Sequence, residues 1–466
     1  MLVERIYDGD LAQAAWLIGC QKTKKALIID PQRDISRYVE IAAKSGLSIT
    51  AIAETHIHAD FLSGSHELAL ATGAIVYLSN HGGDDWAYTW PNKSDASVSF
   101  VNDGDSFTVG KINISVMHTP GHTPEHISFL VRDVNTKEPI GCVTGDFVFV
   151  GDLGRPDLLE TVAGIEGIME ASAAKLHESC IRFLGMDEYI QVWPGHGAGS
   201  ACGKALGAIP QSTIGYEKRT SPPLQLVSKK SQFVAYMLAD QPEPPLYFAR
   251  MKQMNRDGVP LLGGLPTPSR LTDAGELSEL AFTKTVIDTR PWVEVRDGHL
   301  PNSIWSQANG DFHRFAGSFV SDEEEIIFIV KEENLDRAIR NAIRIGLDKI
   351  IAWADPSLLV DVHQLNSMPE VSPQELDSLG QISHVDVRRM SEFSRGSIDN
   401  AINIAHTRLV DCLDDLDAST SWVVNCLGGS RSAAACMAMR RKGFTVTNLS
   451  GGYMGWCGYK QSCAVT

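Results

Sequence analysis

The heptapeptide THIHADF, residues 55–61, decides how the first half of the chain is read. It follows the apolar run ITAIAE and so ends a strand, where alternate side chains share a side and His56, His58 and Asp60 can converge. Three further pieces lie at strand ends beside glycine. They are HTPGHTPEH (118–126), with His122 after the Pro120-Gly121 turn; TGD (144–146), ending in Asp146; and PGHG (194–197), with His196. Nine of the fourteen histidines precede residue 200, which suits ligands on loops carried by a rigid scaffold.

Around these pieces, residues 1 to 215 alternate short apolar runs with Gly, Asn and Asp turns: ALIID, ITAIAET, AIVYLS, INISVMHT, HISFLV, IGCVTGD and YIQVWPG. A helical pattern such as FLSGSHELALATG lies between some of them, and together they predict two sheets with helices packed outside. Near the start, AWLIG reads as a first strand turning at QKTKK into a second, ALIIDP. An export signal ending at Cys20 is disfavoured, because Glu4, Asp8 and Asp10 outnumber Arg5 where a positive start is needed. A helical tail runs to about 250, where ADQPEPPLYF ends it, and GVPLLGGLPTPS (258–269) is the best linker.

At about 150 residues per domain, 466 residues allow roughly three domains. Composition is globular, with 43% hydrophobic and 21% charged residues, which excludes a disordered or fibrous chain. A net charge of −16 offers no basic face, so nucleic acid is excluded as a partner. Nine scattered cysteines suit a reducing compartment, and no apolar run reaches the ~18 residues of a membrane span, so a cytoplasmic protein is expected.

The second half contains a repeat. TVIDTRPWVEVRDGHLPNSI (285–304) and SHVDVRRMSEFSRGSIDNAI (383–402) share Asp, Arg, Gly, Asn and Ile at a constant offset of 98. The pairs are Asp288/Asp386, Arg290/Arg388, Gly298/Gly396, Asn302/Asn400 and Ile304/Ile402. Each copy continues with a buried-strand run, EIIFIV or SWVVNC, then a helical stretch and a glycine, Gly346 or Gly443. Two tandem α/β domains with parallel sheets follow.

SWVVNCLGGSRSAAACMAMRRKG (421–443) places Cys426 between a strand and a helix, with Gly428, Gly429, Arg431 and Ser432 after it. Glycines let successive N–H groups and the helix N-terminus point at one anion, so a thiolate there is stabilised, and Arg431 adds a positive charge. Four residues separate Cys426 from Arg431, one fewer than in tyrosine-phosphatase-like loops, and the smaller ring suits sulfur better than a phosphoryl group.

In their order, the histidine pieces resemble the metallo-β-lactamase fold, an αββα sandwich whose signature is HxHxDH, a Gly-His turn, a bridging Asp and a distal His. This chain departs from it at Asp60-Phe61, where two-metal hydrolases have Asp-His, and phenylalanine cannot bind a metal. The simplest reading is a mononuclear site of His56, His122 and Asp146, with His58, Asp60 and His196 around it. Two imidazoles and a carboxylate suit Fe(II) as a facial triad and suit zinc as well. The Cys426 loop, C-x-x-G-x-R-S, resembles a rhodanese domain, which implies that Cys426 carries sulfur as a persulfide. In the first copy, Lys331 of KEENLD is aligned opposite Cys426 in a loop about two residues shorter, so that copy is read as non-catalytic.

The whole is similar to bacterial persulfide dioxygenase–rhodanese fusions. The resemblance implies a metallo-β-lactamase-fold dioxygenase domain (1–250), an inactive rhodanese-like domain (270–365) and a catalytic rhodanese domain (370–466). It further implies mononuclear Fe(II), with zinc as the alternative. The expected partners are a low-molecular-weight thiol persulfide, O₂ and sulfite or thiosulfate, with no membrane, in a homo-oligomer. Arg155 of GDLGRPDL and Cys202 and Tyr216 beyond His196 are expected near the substrate. The rival expectation is a zinc thioester hydrolase of glyoxalase II type; a third is a sulfur carrier without turnover.

Overall fold

All eight residues of the strand Gln13–Cys20 are buried, which requires cover on both its faces. Ala14, Trp16 and Ile18 enter one apolar layer, and Ala15 and Leu17 enter another. In this computed structural model, which describes residues 1–158, 167–204, 206–241, 243–379 and 382–465, the chain divides into two units, Met1–Gly264 and Leu265–Thr466.

In the first unit, six strands pair in chain order: β1 (Leu2–Asp8), β2 (Gln13–Cys20), β3 (Lys25–Ile29), β4 (Ser48–Ala53), β5 (Ile75–Ser79) and β6 (Val98–Val101). A second sheet holds β7 (Ser106–Val109), β8 (Ile112–His118), β9 (Ile127–Asp133), β10 (Gly141–Gly145), β11 (Gln191–Pro194) and β12 (Ser212–Thr213). The Trp16 layer fills the space between the sheets, where Trp16 stacks on Trp193 at 5.7 Å and donates to the Pro194 carbonyl at 3.0 Å. Helices Ser36–Lys44 and Ser65–Thr72 cover the outer face of the first sheet, and Met169–Leu184 and Lys230–Leu238 that of the second. The result is an αββα sandwich. AWLIG is its second strand, since LVERIYD precedes and pairs with it; alternating charge and only partial burial hide that edge strand from a search for apolar runs.

The first unit extends past residue 250 because the helix Tyr247–Asp257 is tied into it. Asn255 donates to the carbonyls of His58 at 2.8 Å and Phe61 at 2.7 Å and accepts from the Ser63 N–H at 2.8 Å. Glu67 accepts from Leu262 and Gly263, and Arg33 reaches the Pro260 carbonyl.

The second unit repeats one topology. Strands β13 (Ser269–Leu271), β14 (Thr285–Asp288), β15 (Ser303–Trp305), β16 (Ile326–Ile329) and β17 (Ile350–Ala354) lie in the order 13-17-16-14-15. Strands β18 (Glu370–Val371), β19 (Ser383–Asp386), β20 (Ile402–Asn403), β21 (Ser421–Asn425) and β22 (Thr445–Leu449) lie in the order 18-22-21-19-20. Every pairing in both is parallel. The shared residues repeat their bonds as well. Arg290 holds Asp288 at 2.6 Å and the Gly298 carbonyl at 2.6 Å; Arg388 holds Asp386 at 2.6 Å and the Gly396 carbonyl at 2.8 Å. Asn302 and Asn400 both take a left-handed backbone, φ 55° and 61°, which asparagine tolerates better than most side chains.

Register corrects one alignment. Asp288 pairs with Ile329 and Asp386 with Asn425, so the counterpart of Cys426 is Val330, not Lys331. Val330 is fully buried, as a strand-terminal apolar residue should be, and the first loop is then one residue shorter than the second.

Asn255→Ala is expected to lower stability by about 2–4 kcal/mol, because two buried carbonyls and one N–H lose their partner. An unchanged urea midpoint would show that the carboxamide does not hold the 247–263 segment in place.

Candidate metal centre and cysteine loop

His56 follows β4 of the first sheet, His122 sits in the turn between β8 and β9, and Asp146 follows β10. Asp146 Oδ2 lies 3.6 Å from His122 Nε2 and 3.9 Å from His56 Nε2, and all three residues are buried. Oδ2 accepts no hydrogen bond within the described structure. A buried carboxylate oxygen without a donor, facing two imidazole nitrogens, is the donor set a cation satisfies.

The surrounding bonds set each imidazole. Thr55 Oγ1 donates to Asp30 Oδ2 at 2.8 Å, which uses its only proton, so it accepts from His56 Nδ1 at 2.9 Å. His122 Nδ1 donates to the Arg155 carbonyl at 3.0 Å. Both Nε2 lone pairs therefore face Asp146. His126 accepts the Asp146 N–H through Nε2 at 3.2 Å and donates through Nδ1 to Thr119 at 2.8 Å. Burial, followed by neighbouring imidazole charge, holds His56, His122 and His126 below the ordinary imidazole range, in the neutral form a ligand needs.

His196 bridges Asp146 Oδ1 at 2.7 Å and Asp60 Oδ2 at 2.8 Å. Burial opposes its charge, but the two carboxylates outweigh burial and raise it to about 10. Burial likewise opposes ionisation of Asp146, and His196, with His56 and His122, overcomes it and holds the carboxyl well below its usual range. Gly195 is required here, since a Cβ would meet Asp146 Oδ1 at 2.7 Å.

His58 turns away from Asp146. Its Nε2 lies 3.2 Å from both Asp30 and Glu54, so it belongs to a second buried charge cluster, with Ser63 and Ser65 donating to Glu54. Its ring packs 4.4 Å from the fully buried ring of Phe61. Cys202 lies on the other side: its Sγ and the ligand atoms of Asp60 and His196 are within 4.8 Å of one another. Burial, then Asp146 and Asp60, push this thiol well above its ordinary value.

Arg155 is a bracing residue rather than a substrate ligand. It is 1% exposed, its guanidinium is paired with Asp157 at 2.5 and 2.8 Å, and its N–H bonds the Cys202 carbonyl at 3.2 Å. Tyr216 is 45% exposed on the helix Ile214–Thr220, whose inward side chains are Ile214, in the apolar core, and Glu217, which accepts from the Gly151 N–H. Thr55, Asp30, Glu54 and His126 were missed as site residues. His126 alone carried a signal, as the last histidine of HTPGHTPEH.

In the second unit, Cys426 is 2% exposed at the foot of its loop. Gly429, at φ 108°, donates its N–H to Sγ at 3.1 Å, and Ser432 Oγ lies 3.5 Å from Sγ at the start of the helix Ser430–Arg441. Gly428 is exposed in the loop between them. Arg431 is held by Glu392 through two bonds, at 2.6 and 2.7 Å, so its charge reaches Cys426 as half of an ion pair. Burial opposes ionisation of Glu392, but Arg431 holds it at about 2.

Thr55→Val removes the acceptor for His56 Nδ1 and is expected to weaken metal binding by about 10–100-fold in titration, with the fold retained; unchanged affinity would refute this tautomer assignment. Because Glu392 is depressed from its ordinary 4.5 to about 2, its pair with Arg431 stabilises the protein above pH 4.5 and that contribution is lost as pH falls towards 2. In acid unfolding, Glu392→Gln is expected to differ from the parent at pH 6 and to converge with it near pH 2.

Residues 8–196 match the Metallo-beta-lactamase superfamily, and residues 372–459 match the Rhodanese-like domain. A crystal structure of a metallo-beta-lactamase from Staphylococcus aureus subsp. aureus COL is 38% identical, with a TM-score of 0.67, over 76% of this chain and 98% of that one. That coverage exceeds the first unit, so the likeness extends past Gly264. A "Beta-lactamase hydrolase-like protein" of Xylella fastidiosa is 28% identical over 57% of this chain, and the chain spans 62% of its length. The bovine "Persulfide dioxygenase ETHE1, mitochondrial" is 24% identical over 48% of this chain and 77% of its own. Among the described residues no helix is long and apolar enough to cross a membrane. The histidine cluster falls inside the first matched region and Cys426 inside the second, and the chain belongs to the metallo-beta-lactamase superfamily, carrying a rhodanese-like domain over residues 372–459.

Proposed function

We propose that the first unit is a non-haem iron(II) dioxygenase acting on the persulfide of a low-molecular-weight thiol, and that the Cys426 domain is a sulfurtransferase working on the same sulfur. The observation that carries this reading is the three-ligand cluster His56, His122 and Asp146, together with a phenyl ring at Phe61 where two-metal hydrolases of the superfamily place a histidine. Two neutral imidazoles and one carboxylate suit iron(II) with open positions. Bound there, the metal would supply adjacent sites for persulfide sulfur and O₂.

The chain's own residues do the rest. Thr55 and the Arg155 carbonyl keep both Nε2 atoms free to bind, and His196 occupies Asp146 Oδ1 so that Oδ2 alone faces them. The net reaction, RSSH + O₂ + H₂O giving RSH, sulfite and two protons, balances without another reductant. At Cys426, the Gly429 N–H and Ser432 hydroxyl stabilise a thiolate that takes or gives sulfane sulfur, with sulfite as acceptor and thiosulfate as product.

One observation favours a second reading. Asp60, His196 and Cys202 form a second buried donor set beside the first, and two zinc ions would make the site a thioester hydrolase instead. A buried, protonated Cys202 fits a ligand that loses its proton to a metal better than a free nucleophile.

Protein loaded anaerobically with Fe(II) is expected to consume O₂ with one of glutathione, coenzyme A or bacillithiol persulfide and to release sulfite. His122→Ala should lower that uptake by at least about 100-fold. Cys426→Ser should abolish thiosulfate formation and leave uptake intact. Two bound zinc ions with cleavage of S-lactoylglutathione and no O₂ uptake would establish the hydrolase.

A further inference from the structure

The Cys426 loop is gripped by the start of the chain's last helix, Gly452–Val465. Tyr453 donates its N–H to the Cys426 carbonyl at 2.7 Å, and Met454 donates to the Leu427 carbonyl at 3.0 Å. The first N–H groups of a helix have no partner inside it, so these two are available to the loop. The approach depends on Gly452. A Cβ there would meet the Cys426 oxygen at 2.6 Å and the Leu427 oxygen at 2.7 Å, both backbone atoms that cannot swing aside. Gly452 also has φ 58°, a left-handed backbone that glycine adopts without cost. Its neighbour Gly451 shares that conformation, at φ 71°, but a Cβ on it would meet only Gly455, at 3.4 Å. The ring of Tyr453 ties the helix start to the scaffold, because the guanidinium of Arg388, which clasps Asp386, lies 4.0 Å from the ring centre.

The first repeat separates this contact from the needs of the fold. It has the same strand order, and its register makes Pro356 and Ser357 the counterparts of Gly451 and Gly452. There Ser357 gives its N–H to the Asp355 carboxylate, and Leu358, the counterpart of Tyr453, gives its own to the Asp355 carbonyl, both at 3.0 Å. Neither bonds Val330, the counterpart of Cys426. The fold therefore closes without the contact, and the copy without the cysteine is also the copy without the glycine pair.

A trans peptide points its C=O and its N–H to opposite sides. With the carbonyls of Cys426 and Leu427 fixed on the helix, the N–H groups of the following residues, Leu427 and Gly428, face away from it. Neither N–H has an acceptor among the described residues, and the next one, on Gly429, lies 3.1 Å from Sγ. We propose that Gly452 is a positioning residue for Cys426: by admitting the helix start to the two carbonyls, it turns the N–H groups of the loop inward and keeps the thiolate stabilised. This deepens the sulfur-transfer reading of Cys426, on which its functional meaning rests.

The test uses the full chain and follows alkylation of Cys426 by iodoacetamide across pH, read on the Cys426 peptide by mass spectrometry, beside sulfur transfer from thiosulfate to cyanide. Gly452→Ala is expected to move the pH–rate profile of alkylation up by about one unit, the equivalent of one lost hydrogen bond to a charged group, and to lower kcat/KM for thiosulfate about tenfold. Gly451→Ala imposes the same backbone strain without touching the loop, so it should lower Tm and leave the profile where the parent has it. Met454→Pro removes the N–H given to Leu427 in the first turn of the helix, where proline is tolerated, at the cost of a side chain that is 63% exposed. It should shift the profile in the same direction as Gly452→Ala, and it decides the question should the alanine variant not fold. A parent that transfers no sulfur, with the profile still shifted in both variants, would refute the transfer reading and leave the clamp standing. Profiles of Gly452→Ala and Met454→Pro that superimpose on the parent, or an equal shift in Gly451→Ala, would overturn the proposal.

Discussion

The first unit is organised around one carboxylate. Asp146 gives Oδ1 to His196, its N–H to His126 and Oδ2 to the space between His56 and His122. No single element could bring these together, since His56 ends a strand of one sheet and Asp146 a strand of the other. Their spacing is set by how the two sheets close. The Trp16–Trp193 stack fills the layer between them, and Ala14 N–H to Gly195 O at 2.7 Å and Ile127 N–H to Thr55 O at 2.8 Å join the sheets directly beside the site. Glycine at 195 lets the chain pass that close to the carboxylate.

A second charge network backs the first. His58, Asp30 and Glu54 are all buried, and the cost of removing them from water is offset by mutual pairing and by the Ser63 and Ser65 hydroxyls. Burial still raises Glu54, while Asp30 and Glu54 outweigh burial at His58 and keep it charged. Asp30 links the two networks, because it also takes the Thr55 proton that decides the tautomer of His56. The histidine two residues along the chain thus acts on His56 through Asp30 and Thr55, at a remove.

In the second unit, the two copies share a scaffold but not the cysteine loop. The Asp-Arg clasp, the left-handed asparagine and the strand order recur in both copies. The cysteine ring occurs in one. The first copy's loop runs KEEN into a helix, with no glycine to curl the backbone around an anion, while its helix Phe312–Phe319 gives up its wet face to pack on its neighbour.

Much of this was written in the chain. Apolar runs of strand length predicted eight of the first unit's strands, β2 to β5 and β8 to β11, because strands that bury most of their side chains stand out as apolar runs. The constant 98-residue offset predicted the repeat, and His56, His122, Asp146 and Cys426 were legible because strand ends and glycine turns are local features. The edge strand Leu2–Asp8, the docking of the helix Tyr247–Asp257 onto the first unit and the match of Val330 to Cys426 were not, since each depends on which segment pairs with which. The direction of a side chain was likewise a tertiary matter. His58 and His56 lie two residues apart on one strand end and look equivalent in sequence, yet Asp30 and Glu54 draw one away while Thr55 aims the other at Asp146. Arg155, a plausible ligand by type, is spent on Asp157. Residue type and local spacing settle which groups are available; which partner each one meets is settled by contacts between residues distant in the chain, whose free energy no local window contains.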